Sequence, residues 1–335
     1  MAIGKTNVGG GSGGTLTVTA PANVTVTVSK DGKTKTKVAG SDGIAVFKGL
    51  ASGTWTVTIS DGSQTAQKVA VINTNYSLVI SFNTIPEFTY TGDFEIVNDS
   101  DEPITTSQDN WKIRLLTSGT LTFTNLNEAK NGIDVFCVGG GGNGGKGGSY
   151  GGGGGGGGGY TKIDKSVPVS LTSYDIIVGA AGGNTSAFGL NANAGSHGGD
   201  SDNNSSHSGI GGSGGSGGGN GGKANTTPGA DGGFDGSTPS DGGTGQGTTT
   251  REFGDYAGKL YAGGGGGGTG QSSEIATHGG AGGSGGGGKG ADTRYGSGTA
   301  GTANTGGGGG GGGASGSGGS GGSGIVIIRN AREVA

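Results

Sequence analysis

The stretch Tyr150-Gly151-Gly152-Gly153-Gly154-Gly155-Gly156-Gly157-Gly158-Gly159-Tyr160 decides how this chain has to be read, because nine successive residues carry no side chain. Two further uninterrupted runs, 263–268 and 306–313, repeat the feature. Of the 92 glycines among 335 residues, 15 precede residue 139 and none follows residue 324, so one long segment is built chiefly from backbone. Such a segment has no side chains from which to assemble a hydrophobic core or an ordinary active site. Apolar residues, 28% of the chain, must build the core elsewhere.

Free glycine chains are normally disordered, since ordering each backbone unit costs roughly 1–2 kcal/mol and glycine loses more freedom than any other residue. Three features argue for order. The runs are long, they recur, and serine falls at spacing three between them, as in Ser213-Gly214-Gly215-Ser216 and Ser317-Gly318-Gly319-Ser320-Gly321-Gly322-Ser323. Period three belongs to a polyproline-II-type helix, whose rise of about 3.1 Å per residue gives a nine-glycine run a length of roughly 28 Å. It has no internal hydrogen bonds, so its N–H and C=O groups point outward, and several packed together can satisfy one another. Only glycine lets six neighbours approach closely enough. Interior helices of such a bundle need glycine throughout, whereas peripheral ones accept Gly-Gly-X with X facing water. Collagen is excluded by six prolines in the whole chain and by glycine that is consecutive instead of every third residue.

Working outward, residues 1–14 read as a flexible glycine-serine arm. From Thr15 to Asn83 the pattern is period-two alternation of β-branched residues, punctuated by Asp31-Gly32, Asp42-Gly43 and Asp61-Gly62, which predicts six or seven short strands of a β-sandwich. A second β region is expected over 84–138, completed by 160–178 and 325–330, with 325–329 pairing near 133–138. Residues 139–324 form the glycine-rich part. The expected fold class is therefore all-β, with an N-terminal β-sandwich, a second small β domain and a polyglycine-II helix bundle.

Net charge is −4 and the basic residues are scattered, which speaks against nucleic acid as a partner. The single Cys137 lies in the apolar run 133–138 and reads as a buried thiol. No apolar stretch reaches the ~18–20 residues of a membrane-spanning helix, and the sequence after Lys5 is not that of a signal peptide, so assembly in a cytoplasm is expected. Residues 217–223 nearly spell a phosphate loop, but Ala224 stands where Ser or Thr is required. Residues 200–204 begin like a calcium loop, yet Ser205 replaces the turn glycine and Gly211 the bidentate glutamate. His197, His207 and His278 have no zinc spacing, and no general acid, base or nucleophile sits in a recognisable setting. No metal, no cofactor and no enzymatic activity are expected.

The segments Ser41-Asp42-Gly43-Ile44-Ala45-Val46-Phe47-Lys48-Gly49-Leu50 and Gly53-Thr54-Trp55-Thr56-Val57 resemble carboxypeptidase-regulatory-like and bacterial immunoglobulin-like modules, spacers of surface and virion proteins. The succession Val135-Phe136-Cys137-Val138-Gly139-Gly140-Gly141-Gly142, the run 151–159 with Tyr160-Thr161-Lys162, Tyr174-Asp175-Ile176-Ile177-Val178-Gly179-Ala180, and Gly324-Ile325-Val326-Ile327-Ile328 is similar to the glycine-rich domains of bacteriophage tail proteins. By analogy with distal tail-fibre adhesins, the resemblance implies a polyglycine-II sandwich whose loops, at the free end of the bundle, touch a host receptor. It further implies a virion localisation, attachment to other tail proteins through the N-terminal region, a bacterial surface glycan or outer-surface protein as partner, and a possible homotrimer. The alternative is a non-catalytic spacer or decoration protein of tail or capsid. On the adhesin reading the candidate receptor-binding residues are Phe188, Phe234, Arg251, Phe253, Tyr256, Tyr261, His278 and Tyr295, whose rings stand in polar, small-residue loops. The competing reading makes each ring a lid over the glycine bundle.

Overall fold

The computed structural model describes residues 13–62, 64–105, 110–271 and 278–332. The attachment arm expected over 1–14 falls almost wholly outside them. Two compact units are present, one from the chain up to Ile85 and the other from Pro86 onward. In both, regular structure is β; the described residues add only two 3₁₀ turns, Asn127–Asn131 and Glu252–Gly254.

The first unit is a sandwich of seven strands: β1 (Gly14–Thr19), β2 (Thr25–Lys30), β3 (Lys33–Val38), β4 (Ile44–Leu50), β5 (Gly53–Ser60), β6 (Thr65–Ile72) and β7 (Tyr76–Val79). They form sheets of order β4-β1-β7 and β3-β2-β5-β6. Alternation places Leu16, Val18, Val26, Val28, Trp55, Val57 and Ile59 in the core between them. Asp31 and Gly32, at φ 50° and 75°, make the two-residue turn from β2 to β3. The edge strand β3 sets Lys35 and Lys37 opposite the core residues Val28 and Val26, and the Lys35 ammonium escapes to the Lys48 carbonyl at 3.1 Å. Charges at core-facing positions of an edge discourage further strand pairing.

The second unit contains β8 (Glu87–Tyr90), β9 (Phe94–Val97), β10 (Lys112–Leu115), β11 (Gly119–Asn125), β12 (Ile133–Val138), β13 (Thr161–Val167), β14 (Ser173–Ile176), β15 (Thr185–Ala187), β16 (Leu190–Ala192) and β17 (Ile325–Asn330). One sheet has the order β13-β12-β17-β10-β9 and another β14-β11-β8, while β15 and β16 form a hairpin. At the centre, β12 and β17 run antiparallel from Ile133 opposite Asn330 to Val138 opposite Ile325. The side chains of Ile133, Val135, Val138 and Ile325–Ile328 are buried, as is Cys137, whose thiol burial pushes up to about 12.

Where β12 ends the glycine segments begin, and their hydrogen bonds run with period three. In the run 151–159, Gly152, Gly155 and Gly158 donate to Gly222, Gly219 and Ser216; Gly153, Gly156 and Gly159 donate to Gly312, Gly309 and Gly306; Gly154 and Gly157 donate to Gly199 and Ser196. Its carbonyls accept from three further segments: from Gly142 and Gly145, from Gly209, Gly212 and Gly215, and from Gly265 and Gly268. The run thus touches six neighbours. The runs 263–268 and 306–313 are likewise bonded to six segments each. Outer segments carry a side chain at every third position: Asn143 and Lys146 in one, Ser317, Ser320 and Ser323 in another, half-exposed or exposed while the glycines between are mostly buried. A Cβ built on any of Gly152 to Gly159 would come within 3.0 Å of a neighbouring carbonyl oxygen, inside any real contact distance.

This geometry gives a sharp mutational contrast. Gly156→Ala, whose methyl would collide with the Gly142 carbonyl, is expected to abolish cooperative folding of the second unit. Ser320→Ala on the rim is expected to change stability by no more than about 0.5 kcal/mol. Thermal melting by circular dichroism checks both.

Candidate functional site

The register of the glycine segments defines two ends of the array. Residues 139, 159 and 324 lie where strands β12, β13 and β17 join it. At the other end Gly148 donates to Gly151 at 3.0 Å across the turn Ser149-Tyr150. The loops 203–208, 223–228, 292–296 and 314–315 are at that free end, because the glycines flanking them bond to those near Gly148 and Gly152. The loop around Gln271 joins them; its residues 272–277 lie outside the described part of the chain.

These loops are tied to one another. The Ser149 amide and hydroxyl donate to Asn203 Oδ1 at 3.0 and 2.8 Å. The amide of Gln271 donates to the Tyr150 carbonyl at 2.7 Å, that of Asn225 to the Gln271 carbonyl at 3.0 Å, and that of Ser315 to the Gly148 carbonyl at 2.7 Å. Arg294 Nη2 donates to the Ser149 carbonyl at 3.4 Å, and its guanidinium lies 5.0 Å from the ring centroid of Tyr295. Two aromatic rings face water here, Tyr295 at 71% exposure and Tyr150 at 43%. On the flank His207 Nδ1 and Asp202 Oδ2 are 2.7 Å apart, and the hydrogen bond from His207 is the first cause of a lowered Asp202 carboxyl.

The eight residues singled out from sequence do not share one surface. Tyr295 and the exposed His278 belong to the free end. The other six lie toward the sheets. Phe234 is exposed beside Gly233, which accepts from Gly264 near that end. Arg251 is held by Asp235, Nε to Oδ2 at 3.1 Å. Tyr256 projects into solvent at 98% exposure, while Phe188 is half-buried against Tyr174.

Phe253 and Tyr261, 2% and 1% exposed, are core residues and not the exposed loop aromatics expected from the sequence. They cover the face of β12 and β17, with ring centroids 5.8 and 5.4 Å from Phe136, in a cluster with Val138, Ala262, Ile325 and Ile327. Tyr150, conversely, was missed. Its signal was available: it is the one large side chain in the two-residue turn between two glycine segments.

Under Phe253 and Tyr261 lies a buried charge cluster. Asp134 and Arg329 face each other across β12 and β17, Nε to Oδ2 at 3.0 Å, and the guanidinium carbon sits 4.0 Å from the Phe253 ring centroid. Arg329 also pairs with Asp255. Lys112 Nζ lies 2.7 Å from Asp101 and 2.9 Å from Glu252, and Arg114 pairs with Asp101 as well. Burial alone would raise the Asp101 carboxyl, but hydrogen bonds and charge from Arg114 and Lys112 outweigh it and hold it at about 2 instead of 3.8. Burial and the charge of Glu252 push the Tyr261 hydroxyl up. A cleft of about 360 Å³ opens beside the cluster, bordered by Asp101, Lys112, Glu252, Asp255, Lys259 and Arg329. Its four acidic and four basic side chains, counting Asp99 and Arg332, balance in formal charge. Among the described residues no three His, Cys, Asp or Glu side chains gather as a metal would require.

A family model described as a glycine-rich domain matches residues 116–331. No curated protein matches the chain.

Two outcomes follow from the charge cluster. Asp134→Ala leaves the buried Arg329 guanidinium with only the half-exposed Asp255 as its ion-pair partner and is expected to cost about 3 kcal/mol, read as a lower denaturant midpoint for the second unit. A carboxyl lowered on folding adds stability above its unfolded value, so the Asp101 contribution is present above pH ~4 and lost as pH falls through ~2. Arg114→Met is expected to flatten that dependence, as measured by urea titrations at a series of pH values.

Proposed function

The chain belongs to the glycine-rich domain family, and from that premise we propose that it is a non-enzymatic adhesin of a bacteriophage virion, set in the tail and binding the host surface with the free-end loops of its glycine array. On this reading the array is a polyglycine-II bundle: extended segments without internal hydrogen bonds, each bonded to its neighbours at every third residue. The first unit is an immunoglobulin-like module through which the chain is attached to other tail proteins, and the receptor is a bacterial surface glycan or outer-surface protein.

The observation that carries the reading is the pair of solvent-facing rings, Tyr150 and Tyr295, on loops joined by the bond from Arg294 Nη2 to the Ser149 carbonyl, with the Arg294 guanidinium beside the Tyr295 ring. Tyrosine offers large contact area at small entropic cost, and Ser, Asn and Gly around it supply adaptable hydrogen bonds. Loops fixed at both ends by an array whose own donors and acceptors are satisfied present those groups with little ordering left to do. Lys223 and His278 stand exposed in or beside the same loops and extend the polar rim.

The test is binding of the purified full chain to cells of a panel of bacterial strains. Saturable binding is expected, falling at least about tenfold in a Tyr150→Ala/Tyr295→Ala variant whose melting temperature is unchanged. A chain that binds none of the strains its parent particle infects is a spacer or decoration protein instead.

A further inference from the structure

The β15–β16 hairpin turns on Phe188 and Gly189, whose φ angles are 50° and 81°. Positive φ at both central residues is the geometry that selects Asn-Gly or Gly-Gly, and a bulky aromatic in the first place is a conformational outlier. Such strain persists where something other than the backbone requires the side chain.

The Phe188 ring leans on Tyr174 with centroids 4.9 Å apart and planes inclined at 40°, and Tyr174 in turn meets the buried Phe123 at 5.9 Å. This aromatic ladder leads from the core to the surface and ends in a half-exposed ring. The Tyr174 hydroxyl is fixed by the Ser170 amide at 2.9 Å. Beside the rings is a cleft of about 380 Å³, bordered by Pro168, Ser173, Tyr174, Asp175, Phe188 and Gly189. Asp175 is exposed and borders it, and the Thr120 hydroxyl donates to its carboxylate over a long 3.4 Å.

We propose that this cleft is a binding subsite for a neutral hexopyranose. A ring sugar presents an apolar C–H face and a rim of hydroxyls, which match a fixed aromatic platform flanked by a carboxylate that only accepts hydrogen bonds. The volume sits at the small end of ligand sites, about 300–1,000 Å³, and suits one ring. The negative charge of Asp175 disfavours anionic sugars. The subsite is separate from the free-end loops, being on the hairpin beside the sheets, so it stands whether or not those loops bind cells.

The experiment is saturation-transfer NMR on the full chain with the methyl glycosides of glucose, galactose, mannose and N-acetylglucosamine, followed by titration. Binding of at least one is expected, with the strongest transfer to ring C–H protons. Phe188→Asn installs the residue that the turn prefers while removing the ring. It is expected to weaken binding at least about tenfold and to leave the melting temperature unchanged or higher. Asp175→Ala, at an exposed position, is expected to weaken binding as well, and Tyr150→Ala/Tyr295→Ala to leave it intact. The proposal is overturned if no glycoside binds, if Phe188→Asn binds as the parent does, or if Asp175→Ala has no effect.

Discussion

Everything in the second unit depends on one contact, the approach of a glycine Cα to the carbonyl oxygen of a neighbouring segment. Around the run 151–159 this happens on all sides, and it leaves no room for a methyl group. The consequence is a backbone interior in which the N–H and C=O groups of 152–158 point at partners, the condition that a buried peptide has to meet. An ordinary core chooses its residues by volume. This one chooses them by the absence of any.

Such an interior is weakly self-supporting. A net hydrogen bond contributes about 0.5–1.5 kcal/mol, against roughly 1–2 kcal/mol to fix each residue, more for glycine. The apolar sheet supplies what the array lacks. Strand β12 enters the first glycine segment, β13 leaves the second, and β17 collects the last, so the ends of the array are held in register by buried Ile, Val and Phe side chains, each contributing about 1.5–3 kcal/mol. Phe253 and Tyr261, which come from a loop of the array, close the cover over β12 and β17. Sheet and array are therefore parts of one unit, although their compositions have nothing in common.

Much of this was legible from residue order. The alternation in 15–83 marks strands, the runs without side chains mark the segments with most neighbours, and the Gly-Gly-Ser spacing marks the rim. The site was less legible, for a physical reason. Successive segments run in opposite directions, so whether a loop emerges at the free end or beside the sheets depends on how many segments precede it, and 160–178 and 248–261 leave the array for the sheets. Composition marks Phe234, Tyr256 and Tyr295 alike as loop aromatics, yet the hydrogen-bond register sends the first toward the sheets and the last to the free end. Phe253 and Tyr261 differ from these only in facing an apolar strand pair distant in sequence. The two-residue turn holding Tyr150 was overshadowed by the glycine on either side of it.

The boundary between the two interiors shows how they are compatible. Val138 is the last side chain of the apolar core and Gly139 the first residue of the array, where a Cβ would already strike the Asn193 carbonyl. At the other end Gly324 lies against the Val138 carbonyl, and Ile325 resumes the core one residue later. The change needs no loop, because an extended strand and an extended period-three segment both turn their peptide groups sideways to a neighbour. What differs is the number of neighbours: two for a strand, which leaves both faces free for side chains, and six for an interior segment, which leaves none. Side chains are thereby expelled to the rim and to the turns, and chemical variety on this half of the molecule is confined to the places where a partner can reach it.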